Sequence, residues 1–238
     1  VYCMYADGGG GPGGDGHHLH DERTLASRIA RMVDTLEHFP MADGAVMDGP
    51  EWGYEMAPHH MNHRSYFFND LPESAAPMAK DLGYDYKAMV AAVDRLQDLF
   101  HNLDPARIRA HARGGLVGAH RMLGADPDLM AWLSFRVDSL TRYFRRIREG
   151  LAAELDRPIR LGCGPRSAAF APLCGYDFVE LAQFMDFLLP KHYFFHRGFD
   201  GFVGTVYRYS QTLIEWNPGL TVADTLEIVQ SLFGIVLP

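Results

Sequence analysis

Gly44-Ala45-Val46-Met47-Asp48-Gly49-Pro50-Glu51-Trp52 runs from a compact apolar segment into two acids set on a glycine–proline turn. A short apolar run that turns polar only at its C-terminal end is the pattern of a parallel strand covered on both faces. Residues 1–6, 44–49, 158–163 and 186–194 all have that form. Helical spacing fills the intervals. From Asp21 to Phe39, Leu25, Ile29, Met32 and Leu36 recur every three or four positions, with Asp21 as N-cap and Pro40 as stop. From Asp126 to Leu155 the stripe is Leu129, Leu133, Val137, Leu140, Phe144, Ile147, Leu151 and Leu155. Asp126-Pro127 opens it with a cap and a proline at the first helical position, and Pro158 ends it. Shorter helices are expected over 179–185 and 221–232.

Strict alternation of strand and helix predicts a parallel sheet with right-handed crossovers, which either an open doubly wound sheet or a closed (β/α)8 barrel satisfies. A nucleotide-binding sheet would want a phosphate loop after its first strand. The glycine-rich stretch 8–14 is broken by Pro12, lies well before the helix cap and matches neither GxGxxG nor GxxxxGK[ST]. It reads as a flexible loop over the substrate side. Residues 52–125 form an excursion far longer than the usual βα loop of about two to six residues. It carries its own helix, with Met89, Val93, Leu96 and Phe100 on one face, and turns near Asp104-Pro105 and Gly114-Gly115. The expectation is therefore an α/β chain of the (β/α)8 TIM-barrel type. Because eight βα units take about 250 residues without insertions, it should be a partial barrel, one domain over 1–238 with the insertion 52–125 on its catalytic face.

The composition narrows the function classes. With 47% hydrophobic residues the chain can build a packed core, and a net charge of −8 argues against a nucleic-acid or anionic-membrane partner. Cys3, Cys163 and Cys174 are odd in number and lack CxxC spacing, which favours free thiols over a disulfide framework. No apolar run approaches the roughly 18 residues needed to span a bilayer. Val1 leads straight into a strand-like run and residues 234–238 end without a polar tail, so both ends read as cuts through a longer protein. Compartment and oligomeric state stay open.

In parallel βα folds the chemistry gathers at the carboxyl ends of the strands. There the acids Asp7, Asp48, Glu51 and Glu55 fall beside Trp52 and Tyr54, and the run 186–194 ends in Lys191-His192-Tyr193. Acids flanked by aromatics suit glycosidic chemistry, in which one carboxyl donates a proton and ring faces stack on the sugar. The structural alternative is that Asp48 caps the turn and Glu51 is solvated. Arg136, near the start of the long helix, either holds an acid of the site or lays its stem over the core.

The stretch Asp43-Gly44-Ala45-Val46-Met47-Asp48-Gly49-Pro50-Glu51-Trp52 resembles the Asp-Gly-hydrophobic-Asp strand of glycoside-hydrolase-like TIM-barrel proteins. Residues 132–142 are similar to a W-x-x-[FW]-R helix of the same proteins, and Arg160-Leu161-Gly162, Tyr176-Asp177 and Phe187–Tyr193 follow in the same order. The resemblance implies a carbohydrate substrate, no cofactor, and a subsite lined by Asp48 or Glu51 with Tyr193. On that basis Glu51 is the proton donor and Asp48 orients it or the sugar. Trp52, Arg136 and Tyr193 would shape the subsite, with Asp7, Tyr54, Glu55 and Lys191 as further contacts. The second carboxyl is Asp7 or Glu55, lies beyond this chain, or is missing, in which case the protein binds sugar without cleaving it. A rival enzyme reading takes His59, His60 and His63 with Asp48 as a metal-dependent hydrolase site. A Gly-x-Ser-x-Gly nucleophile does not occur. Tyr66, Phe67, Phe68, Phe194, Phe195 and Phe199 are expected to be mostly packing.

Overall fold

The computed structural model describes residues 2–6, 18–61, 65, 67–68, 71–112, 114–124, 126–165, 169–190, 193 and 201–236. The chain divides into two compact units. The first comprises Val1–Gly53, Asp70–Tyr84 and Leu133–Lys191, and the second Tyr54–Asn69, Asp85–Trp132 and His192–Pro238.

The first unit is built on a parallel sheet of β1 (Tyr2–Ala6), β2 (Gly44–Asp48), β3 (Arg160–Gly164) and the two-residue β4 (Phe187–Leu188), in that spatial order. The register sets Ala6, Asp48 and Gly164 side by side at the carboxyl edge. Glycine is required inside the sheet at Gly162, where an added Cβ would fall 2.1 Å from the Phe187 ring. Helix α1 (Glu22–His38) starts where the Asp21 carboxylate accepts the N–H groups of Arg23 and Thr24, and it buries Leu25, Met32 and Leu36. Helix α2 (Ala76–Asp81) is short. After α3 (Tyr86–His101), α4 (Pro105–His111) and α5 (Gly115–Leu123) of the second unit comes α6 (Pro127–Glu154), which the first unit takes from Leu133 onward. At Gly150 the absence of a side chain lets α6 approach Ile29 of α1, since a Cβ there would lie 2.6 Å from Ile29 Cδ1. Arg146 pairs in two-pronged fashion with Glu22 (2.9 and 2.8 Å), and Arg28 donates to the Tyr143 hydroxyl (2.6 Å), across the same two helices. Two single-turn helices, α7 (Ala171–Cys174) and α8 (Phe178–Leu181), complete the unit.

Among its described residues the longer elements of the second unit are all helices: α3 (Tyr86–His101), α4 (Pro105–His111), α5 (Gly115–Leu123), the first turns of α6, α9 (Phe202–Trp216) and α10 (Val222–Phe233). Asp85, Asp104 and Thr221 cap α3, α4 and α10. Phe67, Phe68, Phe100, Trp132 and Tyr209 form an aromatic core with ring centroids 4.9–6.4 Å apart. Phe67 and Phe68 are thus packing, as expected, while Tyr66, Phe194, Phe195 and Phe199 lie outside the described residues.

The (β/α)8 TIM-barrel expectation is overturned, including the partial barrel with its helical βα insertion. Helix makes up 63% of the described residues, and among them the sheet is small and open, with three strands of five residues and a fourth of two. Alternation of strand and helix dictates parallel pairing, which is present, but closure is a property of strand number and shear that no local pattern carries. Among its described residues the run expected over 186–194 forms strand only at Phe187–Leu188, and the excursion 52–125 belongs, beyond Gly53 and apart from Asp70–Tyr84, to the second unit.

At the start of α10 the Arg109 guanidinium, followed by the Thr221 N–H and hydroxyl, holds the Asp224 carboxyl well below its ordinary value of 3.8. A depressed folded-state value means stability that is present above 3.8 and lost as pH falls through and below it. Thermal melts at about pH 5 and about pH 2.5 are expected to show a smaller acid-induced drop for Asp224→Asn than for the wild type. An equal drop in both would remove the pair from the acid response.

Candidate active site

The turn that leaves β2 is held from several directions within the first unit. Asp48 ends the strand half-buried, and Gly49 takes φ 88°, a left-handed conformation open to glycine, to turn the chain. Pro50 offers its carbonyl to the Tyr176 hydroxyl at 3.2 Å. The Trp52 backbone N–H donates to the Cys174 carbonyl at 3.1 Å, and its indole N–H donates to Ser139 Oγ at 2.9 Å. Ser139 in turn donates to the Arg136 carbonyl at 3.1 Å, while Arg136 Nη2 donates to the Gly53 carbonyl. Glu51, Trp52 and Arg136 are 3%, 1% and 0% exposed. Gly175, at φ 91°, lies so close that a Cβ would fall 2.5 Å from the Arg136 carbonyl oxygen and 3.1 Å from the Trp52 ring.

These contacts reassign several expected site residues. Trp52 is no sugar platform, because both ring faces are withdrawn from solvent and its one polar atom is committed to Ser139. Arg136 acts on the backbone of Gly53 and is fully buried, rather than resting at the edge of the core. Asp48 and Glu51 remain as acids at the carboxyl edge of the sheet. Gly164 lies beside Asp48: a Cβ there would come within 3.4 Å of Asp48 Oδ1. Close to this turn Tyr84 gives its hydroxyl to Asp138 (2.5 Å), and burial together with that carboxylate pushes the phenol up to about 12. Burial likewise pushes the Cys163 thiol up to about 12, which leaves it an inert core residue.

Tyr54 and Glu55 belong to the second unit and serve its packing. The Tyr209 hydroxyl donates to the Tyr54 carbonyl, and Tyr54 is 2% exposed. The Glu55 carboxylate accepts from Arg208 Nη2 (2.8 and 2.9 Å), Arg208 Nε (3.1 Å) and the Thr205 hydroxyl (3.2 Å). Burial raises the Glu55 carboxyl above its ordinary value, and Arg208 opposes that shift. Tyr193, half-exposed in the second unit, accepts the Phe202 N–H on its carbonyl. Asp7 and Lys191 lie outside the described residues. His59 and His60 are exposed on a single 3-10 turn of the second unit, with the His59 N–H donated to Glu215, and His63 is outside the described residues. Among the described residues no group of three or more His, Cys, Asp or Glu can hold a metal ion. No described helix is long and apolar enough to cross a membrane.

Sequence reasoning gave no site role to the residues that hold the turn, Ser139, Cys174, Gly175 and Tyr176, although Tyr176 and Cys174 were noted for other reasons. A signal for Ser139 existed in its spacing, since it follows Arg136 by three positions and so shares its helix face.

The buried Arg208–Glu55 pair should behave as a unit. Arg208→Met is expected to destabilise the protein by about 3–5 kcal/mol because it strands a buried carboxylate, and adding Glu55→Leu to it should recover most of the loss. Denaturant unfolding of the wild type, the single variant and the double variant measures this; a double variant no better than the single one would show the pair uncoupled. Comparison of the chain with known protein families, curated proteins and solved structures gave no match.

Proposed function

We propose that the carboxyl edge of the sheet in the first unit is a carbohydrate site, with Glu51 as proton donor and Asp48 as the carboxylate that orients it or the sugar. The observation that supports this reading is the number of independent holds on a six-residue turn bearing two acids: Tyr176 on Pro50, Cys174 and Ser139 on Trp52, and Arg136 on Gly53. Catalytic groups need that kind of support, since small displacements of a positioned group cost large factors in rate. Ligand crevices in open parallel sheets lie outside the carboxyl ends of the strands, where Asp48 is found. The two acids also differ in surroundings, Glu51 being 3% exposed and Asp48 half-buried, which is how a pair divides acid and base roles. In the proposed reaction Glu51 gives its proton to the glycosidic oxygen as the carbon–oxygen bond breaks. Water then adds to the anomeric carbon and loses its proton to a carboxylate. With Trp52 and Tyr54 buried, recognition rests on hydrogen bonds to the sugar hydroxyls instead of ring stacking.

One observation favours binding without cleavage as the second reading. Among the described strand ends only β2 finishes on an acid, since β1, β3 and β4 end on Ala6, Gly164 and Leu188.

Reducing-sugar release from a panel of polysaccharides and aryl glycosides decides between them. The wild type is expected to turn over at least one substrate and Glu51→Gln to lose about a hundredfold or more, as befits a general acid. Saccharide binding without turnover would select the second reading. Equal rates for wild type, Glu51→Gln and Asp48→Asn would sink the first.

A further inference from the structure

Apart from the turn that bears Asp48 and Glu51, the first unit brings a second pair of reactive side chains together. His20 Nε2 lies 2.7 Å from Ser74 Oγ, across 54 residues of sequence. His20 closes the 3-10 turn His18–His20, and Ser74 is the middle residue of the 3-10 turn Glu73–Ala75. Both turns belong to the first unit. A serine hydroxyl within hydrogen-bond reach of an imidazole nitrogen is the arrangement of a nucleophile with its general base.

Each partner is presented by backbone that its neighbours pin down. Leu19, before the histidine, is 3% exposed, and Asp21, after it, caps α1 through the N–H groups of Arg23 and Thr24. Ala75, after the serine, is fully buried and gives its N–H to the Pro72 carbonyl at 2.9 Å, and α2 starts at the next residue. His20 is half-buried and Ser74 is exposed. The base is thus held by the fold, while the hydroxyl stands open to a substrate. As a staple between two turns the pair would contribute little, because water can replace either partner of an exposed hydrogen bond.

We propose that Ser74 and His20 form a nucleophile–base dyad that hydrolyses short-chain acyl esters. With the imidazole proton on Nδ1, Nε2 accepts from the Ser74 hydroxyl. Ser74 Oγ adds to the ester carbonyl carbon as its proton passes to His20 Nε2. The carbon–oxygen bond to the alcohol then breaks, and Nε2 gives that proton to the departing oxygen, which leaves the acyl group on Ser74. Water adds to the acyl carbon with its proton going to Nε2, and release of the carboxylic acid returns the proton to Oγ. Exposure of Ser74 leaves a bulky alcohol in solvent, and a short acyl group needs no deep apolar slot, which sets the substrate class.

The test treats the full chain with an alkyl fluorophosphonate, which loses fluoride to a serine oxygen that a neighbouring base has made nucleophilic. Intact mass counts the adducts and peptide mapping locates them, with p-nitrophenyl acetate hydrolysis measured alongside. A single phosphonyl group on Ser74 is expected. Ser74→Ala should abolish the label, and His20→Gln, a polar side chain of similar reach, should slow it by about a hundredfold or more. Ester hydrolysis should fall in both variants, with circular dichroism confirming that both fold. A wild-type chain that takes no label, or takes it at another serine, overturns the proposal without reference to any variant. Equal labelling rates for wild type and His20→Gln overturn it as well, since Ser74 would then react without the imidazole. Ester hydrolysis unchanged in both variants would assign the pair to holding the two turns together.

Discussion

A guanidinium at 0% exposure has to be satisfied on the spot, and Arg136 is the residue around which the first unit closes. It stays charged at any pH a protein survives, and stripping water from it costs several kcal/mol unless acceptors replace that water. Part of the replacement is the Gly53 carbonyl, which ties the end of the β2 turn to α6. The Arg136 carbonyl takes the Ser139 hydroxyl, and Ser139 takes the indole N–H of Trp52, so one helix face binds the same turn twice. Gly175 shows how little room is left, because any side chain there would strike the Arg136 backbone. The positions of Asp48 and Glu51 follow from these contacts.

The second unit solves the same problem along α9. The buried residues of that helix include Gly204, Thr205, Arg208, Ser210 and Thr212 beside Val206, Tyr209 and Leu213. Each polar member has a partner. Thr205 and Arg208 hold Glu55, Ser210 meets Thr225 at 2.6 Å, and Thr212 returns to the Arg208 carbonyl at 2.7 Å. Just beyond the helix, Asn217 accepts the Leu103 N–H and donates to the carbonyls of Phe100 and Leu213, which joins the ends of α3 and α9. A fully partnered polar core of this kind specifies one arrangement of its helices, since a shift of either helix would leave several buried groups without acceptors.

Local features were legible residue by residue. Asp21 caps α1 as its position before an apolar stripe implies, Asp126-Pro127 opens α6, and the four apolar runs pair in parallel and in sequence order. The helix α9 escaped notice because its inward face is too polar to produce an apolar stripe. On α6 the expected stripe is buried at Leu140, Phe144, Ile147 and Leu151, but its first half is not. Leu133 and Val137 are half-exposed, whereas Trp132, Phe135, Arg136, Ser139 and Tyr143 are buried, and an arginine and a serine do not look like core residues until their partners are known. Aromatics beside acids looked like a sugar platform at Trp52 and Tyr54, yet ring burial depends on what packs over the ring and not on its neighbours in sequence.

The sequence by itself determined where α1, α6 and α10 begin, that the strands pair in parallel, and that two acids stand at the carboxyl end of β2. Those signals act over a few residues: a cap bonds to an N–H two or three positions on, and a turn is set by the φ of one glycine. Only the tertiary structure decided that the sheet stays open, that the chain forms two units, and that Arg136, Trp52 and Glu55 are held in their cores. Gly53 and Arg136 are separated by 83 residues, Trp52 and Ser139 by 87, and Glu55 and Arg208 by 153. Whether a polar side chain can be buried depends on a partner brought to it from such distances, and no pattern of apolar spacing contains that information.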